Sequence, residues 1–191
     1  MHLPTHILAG WAVANALPLS PRQRLAAMAV SALPDLDVVS IVGGMEAYWR
    51  HHHVLGHNLL VGVLLSVSLT LLLSRRWWMP LFLLALFHLH LLMDVFGSGP
   101  LWSVSYWWPI SSQTFASAHA WEFFSWQNIT AGYGLVGIAI AIAIHARRTP
   151  LELLMPSLDQ KLVEFFRRVA RRPEPSRPSA DREMAGTAAD A

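Results

Sequence analysis

The chain has 191 residues, is 54% hydrophobic and 14% charged, has a mean hydropathy of +0.39 and contains no cysteine. One domain of this length cannot hide so much Leu, Ala, Val and Trp in a core, and soluble domains run near about 25% charged. A soluble single-domain enzyme, a disordered chain, a disulfide-stapled secreted domain, thiolate metal sites and cysteine nucleophiles are therefore excluded.

In chain order, residues 5–17 and 25–33 are apolar but short, the second stopped by Pro34. They predict a half-buried helical hairpin rather than two spans. Residues 54–74 hold no Asp, Glu, Lys or Arg and end at Arg75-Arg76; residues 77–93 are uncharged up to Asp94. Residues 123–146 are again uncharged and close on Arg147-Arg148. A bilayer needs roughly 20 apolar residues, so these three read as spanning helices. The expected fold is all-α: a polytopic membrane helix bundle with three spanning helices and two short N-terminal helices. The start lacks the basic region of a cleavable signal.

Residues 1–148 then form the membrane-embedded domain. Residues 149–172 read as a basic juxtamembrane helix, with Ser157 as its cap and Leu158, Leu162, Phe165, Phe166 and Val169 at helical spacing. Lys161, Arg167, Arg168, Arg171 and Arg172 fit a helix lying on anionic lipid, and packing against the protein body is the equal alternative. Residues 173–191 are rich in Pro, Ser, Arg, Ala and Asp and predict a disordered tail.

Charge sets the direction. Arg22/Arg24, Arg75/Arg76 and Arg147/Arg148 mark alternate connections, and of the 14 basic residues Arg50 alone falls on the opposite face. The positive-inside rule places those turns and the C-terminus in the cytoplasm. The net charge of +2 and pI of 9.5 come from the tail and turns, so nucleic acid is not an expected partner; the lipid bilayer is.

Ionisable groups at membrane depth are functional candidates. They gather at His6, at Asp35 and Asp37, at His51–His53 with His57, at His88 and His90 with Asp94, and at His119 with Glu122. His90 and Asp94, four apart, lie about 40° from one another on a helix and can ligate one cation together. His88 points the other way and reads as structural. On the topology above, His6, the Asp35/Asp37 turn, residues 51–57 and the His90/Asp94 end share the non-cytoplasmic face. Carboxylates without nearby Lys or Arg repel one another, and one or two divalent cations would neutralise them. An all-N/O set suits zinc or manganese, or Fe²⁺, better than copper(I).

The order of motifs is also familiar. Thr5-His6 with Gly10 comes first, then Leu33-Pro34-Asp35-Leu36-Asp37, then His52-His53 with Gly56-His57-Asn58. His90 with Asp94 follows, running into Gly97-Ser98-Gly99, and Trp108-Pro109-Ile110-Ser111 ends the series. Over roughly residues 1–145 this resembles the LexA-regulated, membrane-bound metal-dependent hydrolases of the bacterial inner membrane. The resemblance implies His6, Asp35, Asp37, His52, His57, His90 and Asp94 as metal-site positions. The chain departs from the pattern at His53, where members commonly carry Arg, and at Gly56 and Asn58. Helical spacing would pair His53 rather than His52 with His57, so both remain candidates.

These readings predict a membrane-bound metal-dependent hydrolase. A His/Asp site holding one or two ions would activate water against an ester or phosphoester, including a lipid-linked one, with Asp37 or Glu122 accepting the proton. The alternative is a divalent-cation transporter or a non-catalytic metal-binding protein. Bis-histidine haem ligation through His57 and His88 or His90 leaves the Asp35/Asp37 turn without a role.

Overall fold

A computed structural model describes residues 1–100 and 102–171. All regular structure among them is helical: α1 (Leu3–Asn15), α2 (Pro21–Val30), a 3₁₀ helix (Leu33–Gly43), α3 (Met45–His51), α4 (Leu59–Leu73), α5 (Met79–Gly97), α6 (Trp126–Ala146) and α7 (Pro156–Ala170). The all-α class holds. The tail expected over residues 173–191, and Arg172, lie outside the described residues.

Two to three candidate spans are present among the described residues. Helices α5 and α6 are long and apolar enough to cross a membrane; α2 and the 3₁₀ helix, bent by 44° at their junction, pass only if taken as one span. The span expected over residues 54–74 shortens to α4, a 15-residue apolar helix. Residues 52–58 form a turn instead, with His53 at φ 63°. Asn58 ends that turn: its side chain accepts from Val61 N at 3.0 Å and donates to Val54 O and Leu55 O. Apolar composition cannot register such a cap, because the polar atoms it satisfies are backbone ones.

Small residues set the helix packing, as expected where lipid removes the hydrophobic drive between helices. A Cβ at Gly10 would sit 2.3 Å from Ser31 Oγ, so glycine there lets α1 press against the end of α2. Gly62 on α4 meets the Phe87 ring of α5 in the same way. Ser20 begins α2 with a capping box, exchanging bonds with Gln23. The buried core joins Ala26, Ala27 and Val30 of α2 to Met79, Leu83, Leu86 and Phe87 of α5. By contrast α6 buries little beyond Asn128 and Ala143, the pattern of a helix facing lipid.

Helix α7 also differs from expectation at its start. Pro156 occupies the first turn and Met155 precedes it without a side-chain cap, so Ser157 lies inside the helix. Proline suits that position because its missing N–H would have no helical partner.

Candidate metal centre

Four segments converge at one end of the bundle: the beginning of α1, the beginning of the 3₁₀ helix, the turn 52–58 and the C-terminal end of α5. The N-terminus of α6 closes the same end. Asn128 donates to Gly97 O at 2.7 Å and accepts from Trp121 Nε1 at 2.7 Å.

On α5, His90 and Asp94 follow Leu83 and Phe87 along the buried face, and both are about 1% exposed. Helix α1 presents His6 from the face that carries Gly10. Gly56 carries the turn against the 3₁₀ helix: a Cβ there would lie 2.0 Å from Pro34 O. That approach brings His57 to Asp35 and Asp37.

Both central imidazoles have their orientation fixed from behind. His57 Nδ1 donates to Asp37 Oδ2 at 2.9 Å, and His90 Nδ1 donates to the carbonyl of Ser31 at 2.9 Å. Carboxylate and carbonyl oxygens only accept, so the lone pair of each neutral ring sits on Nε2. Those two Nε2 atoms face one another at 3.1 Å. Two lone pairs at that separation repel unless a proton or a metal cation lies between them.

Carboxylates complete the shell. Asp94 Oδ2 lies 3.0 Å from His90 Nε2 and 3.4 Å from His57 Nε2; Asp35 Oδ1 lies 3.7 Å and 3.5 Å from the same atoms. Zinc bonds to nitrogen and carboxylate oxygen of about 2.0–2.2 Å imply tetrahedral donor–donor edges of about 3.3–3.6 Å. The observed 3.0–3.7 Å bracket that range. Among the described residues Asp94 Oδ2, His6 Nδ1 and His53 Nδ1 are buried without a hydrogen-bond partner. An orphaned carboxylate oxygen surrounded by imidazole nitrogens is costly unless it binds a cation. The donor set fits a divalent ion.

Two overlapping groups satisfy ligand spacing: His6, Asp35, His90 and Asp94, and His53, His57 and Asp94, with Asp94 common to both. His6 Nε2 is 3.1 Å from Asp94 Oδ1, which also accepts from Ser98 Oγ at 3.0 Å and lies beside the Met1 amino group.

Two residues from the expected ligand set stand apart. Asp37 points both oxygens away from the centre into four donors: His52 Nδ1 at 2.5 Å, His53 N at 2.9 Å, Gly56 N at 3.2 Å and His57 Nδ1. With both oxygens filled by these donors, Asp37 lies outside both candidate ligand groups and has no oxygen left to take up a proton. His52 is held by Asp37 and stacks on Tyr48 with ring centroids 4.8 Å apart, outside both ligand groups. His53 instead stacks on His57 at 4.4 Å. Of the two rivals, the left-handed backbone at His53 turns that ring inward.

Glu122 is exposed, with its carboxylate over Gly99 and outside the ligand groups. His88 bonds Leu84 O at 2.7 Å and Tyr106 OH at 2.9 Å, away from the centre. His119 is exposed. Sequence reasoning missed Ser31, whose contribution is a main-chain carbonyl that no motif can mark. It also missed Ser98, which the i, i+4 spacing from Asp94 could have flagged.

The turn supplies the clearest electrostatics. Burial lowers the His57 pKa, but the nearby carboxylates of Asp35, Asp37 and Asp94 outweigh it and hold the ring well above its usual value. His53 is pushed down to about 3, first by burial and then by the neighbouring His57. A cavity of about 370 Å³ opens onto the centre, lined by Leu3, Asp35, Val38, Tyr48, His52, His53, Asp94, Ser98, Trp102 and Phe123. Trp102 stacks on Trp49 at 4.8 Å and meets His52 edge-on.

Comparison with known proteins matches residues 1–160 to the YdjM inner membrane protein family, and the chain belongs to that family. Neither a curated protein nor a solved structure matches it.

Proposed function

We propose that this inner-membrane protein is a metal-dependent hydrolase. Its substrate would be an ester or phosphoester that is lipid-linked or carries an apolar group. The supporting observation is the His57–His90 pair, whose fixed rings aim two lone pairs at a common point between Asp35 and Asp94. By their mutual distances His57, His90, Asp35 and Asp94 would hold the ion, zinc or manganese. His6, grouped with Asp35, His90 and Asp94, and His53, grouped with His57 and Asp94, would extend the set toward a second. When bound, such an ion supplies a Lewis acid that polarises a carbonyl or phosphoryl oxygen and lowers the pKa of water.

The chain's own residues account for the rest. Asp37 is a positioning residue that keeps the His57 ring in the required tautomer. His52, its Nδ1 committed to Asp37 and its ring on the cavity wall, keeps Nε2 as the nitrogen free to take a proton. Asp37 is thereby support for a base and not the base. Leu3, Val38, Trp102 and Phe123 give the cavity apolar walls suited to the hydrocarbon part of a substrate.

Carriers place their ligands near the bilayer midplane, often on interrupted helices. Here the donors sit at one end of the bundle, which favours chemistry at a membrane face over passage through it. By the positive-inside reading, that face is periplasmic and α7 is cytoplasmic.

The test uses purified full-length protein, its His90→Ala and Asp94→Ala variants, elemental analysis and a panel of phospho- and carboxyl-esters. Stoichiometric metal in the wild type, lost in both variants, with metal-dependent turnover of a panel member, is the expected result. Equal metal content in all three proteins would remove the site. Metal without turnover would favour a carrier or a binding role.

A further inference from the structure

The second feature lies at the other end of the molecule and is independent of the metal reading. Helix α7 is anchored to the body along one side: Val163 is buried, Leu162 and Phe166 are half-buried, and buried Asp159 accepts from Thr149 N at 2.6 Å and from its hydroxyl at 2.7 Å. A different side stays open. Leu158, Phe165 and Val169 fall within about 40° of one another at helical pitch, and they are 36%, 57% and 66% exposed. Such a stripe on a water-soluble surface would be costly.

Charge sits beside that stripe. Lys161 and Arg168 lie about 60–80° from its centre on one flank and are exposed, with Glu164 as their acidic neighbour. Between α7 and the body there is also a gap of about 280 Å³ walled by Leu8, Val136, Ala139, Ile140, Leu162 and Phe166. Its lining is almost entirely apolar, with Leu8 from α1, Val136, Ala139 and Ile140 from the lipid-facing α6 and Leu162 and Phe166 from α7, so hydrocarbon fills it better than water.

We propose that α7 is a lipid-surface helix. It seats Leu158, Phe165 and Val169 in the hydrocarbon of the leaflet in which α6 ends, and holds Lys161 and Arg168 to anionic phospholipid headgroups. The geometry is that of an interfacial amphipathic helix, here with one side already committed to its own protein. It is continuous with the membrane contact of α6, since α7 begins ten residues after α6 ends.

The absence of native cysteine makes the test direct. Single-cysteine full-length proteins, Phe165→Cys, Val169→Cys and Gln160→Cys, are spin-labelled and reconstituted in nanodiscs of phosphatidylcholine with or without phosphatidylglycerol. Collisional relaxation then compares a water-soluble nickel chelate with oxygen. Labels at 165 and 169 are expected to be shielded from nickel and reached by oxygen in anionic discs, and the label at 160 the reverse. Adding Lys161→Glu and Arg168→Glu should lower the shielded population about fivefold per charge replaced, with the melting temperature of the body unchanged. Labels at 165 and 169 as open to nickel as the label at 160 would overturn the proposal. So would full shielding in the charge-reversed protein, or dipolar broadening at 165 that requires two labelled copies in one disc, which would mark a self-association face instead.

Discussion

The two ends of the bundle treat buried charge in opposite ways. At the α7 end, among the described residues, the buried Arg24 and the half-buried Arg148 each have a partner. Arg24 is bidentate to Glu152 at 2.5 and 2.6 Å and also donates to Leu19 O, while Arg148 donates to Asn15 Oδ1 at 2.8 Å. At the His/Asp end the same kind of burial leaves an orphaned Asp94 oxygen and two imidazole nitrogens facing one another at 3.1 Å. Both ends are polar and both are buried. A structural ion pair closes its own electrostatics, whereas a site holds donors open for something else.

Four experiments would break or sharpen that contrast, and a fifth serves as a control. The largest effect is expected from His90→Ala, which removes one donor from the central four. Metal affinity by isothermal titration should fall by about 1000-fold or more, and the variant should still purify as a folded membrane protein. Retained affinity would mean that the facing imidazoles are only structural.

Next comes the paired end. Arg24→Ala leaves the half-buried Glu152 without its partner and should destabilise the protein by about 2–3 kcal/mol in a denaturant titration in detergent. Metal bound per folded molecule should not change. Replacing Arg24 with Met and Glu152 with Leu together should recover most of the loss. A drop in metal content in the single variant would mean that the two ends are coupled.

Asp37→Asn tests support without ligation. Asparagine offers one accepting oxygen where Asp37 uses two against four donors, so metal affinity should weaken by about 10–100-fold. A loss as large as that of His90→Ala would return Asp37 to the ligand set.

A pH series separates the ends again. His57 has a raised pKa in the metal-free chain, so its contribution to stability is full below the unfolded value of about 6.5. It is lost as pH rises through the raised folded value. A bound metal needs that proton removed, so the stabilisation that zinc confers should grow with pH by about 1.4 kcal/mol per unit for each proton displaced. Thermal melts with zinc and with chelator from pH 6 to 8 measure it. A flat difference would mean that His57 is not a ligand.

The smallest effect is the control. Arg50 and Glu46 form an exposed i, i+4 pair at 2.7 Å, so Arg50→Ala should cost no more than about 0.5 kcal/mol in the same titration and leave metal affinity untouched.

Much of this was legible along the chain. The membrane character followed from composition, and the His90/Asp94 pair from helical spacing, because both depend on residues close in sequence. The division of labour within Pro34–Asp37 was not. Asp35 and Asp37 are both carboxylates two positions apart, and only the turn 52–58 shows that Asp37 is surrounded by four donors while Asp35 is left toward the centre. His52 and His53 likewise differ by one backbone angle, φ 63° at His53. Glu122 was singled out by the scarcity of acids in the body, yet scarcity carries no direction, and its side chain is exposed.

Length misled in one place. A 21-residue uncharged run over 54–74 read as a span, but its first residues are spent on a turn that serves the site. Apolar content measures solvent preference and is blind to the backbone bonds that end a helix.

The amino-acid sequence by itself determined the solvent of this protein, the helical class, and the segregation of basic residues from His and Asp. Those are sums and periodicities that need no knowledge of distant contacts. Only the tertiary structure decided which nitrogen faces which oxygen, because His6 meets Asp94 across 88 positions and His90 meets the Ser31 carbonyl across 59. Such meetings are set by how closely α1, α2 and α5 pack, down to the missing side chain of Gly10.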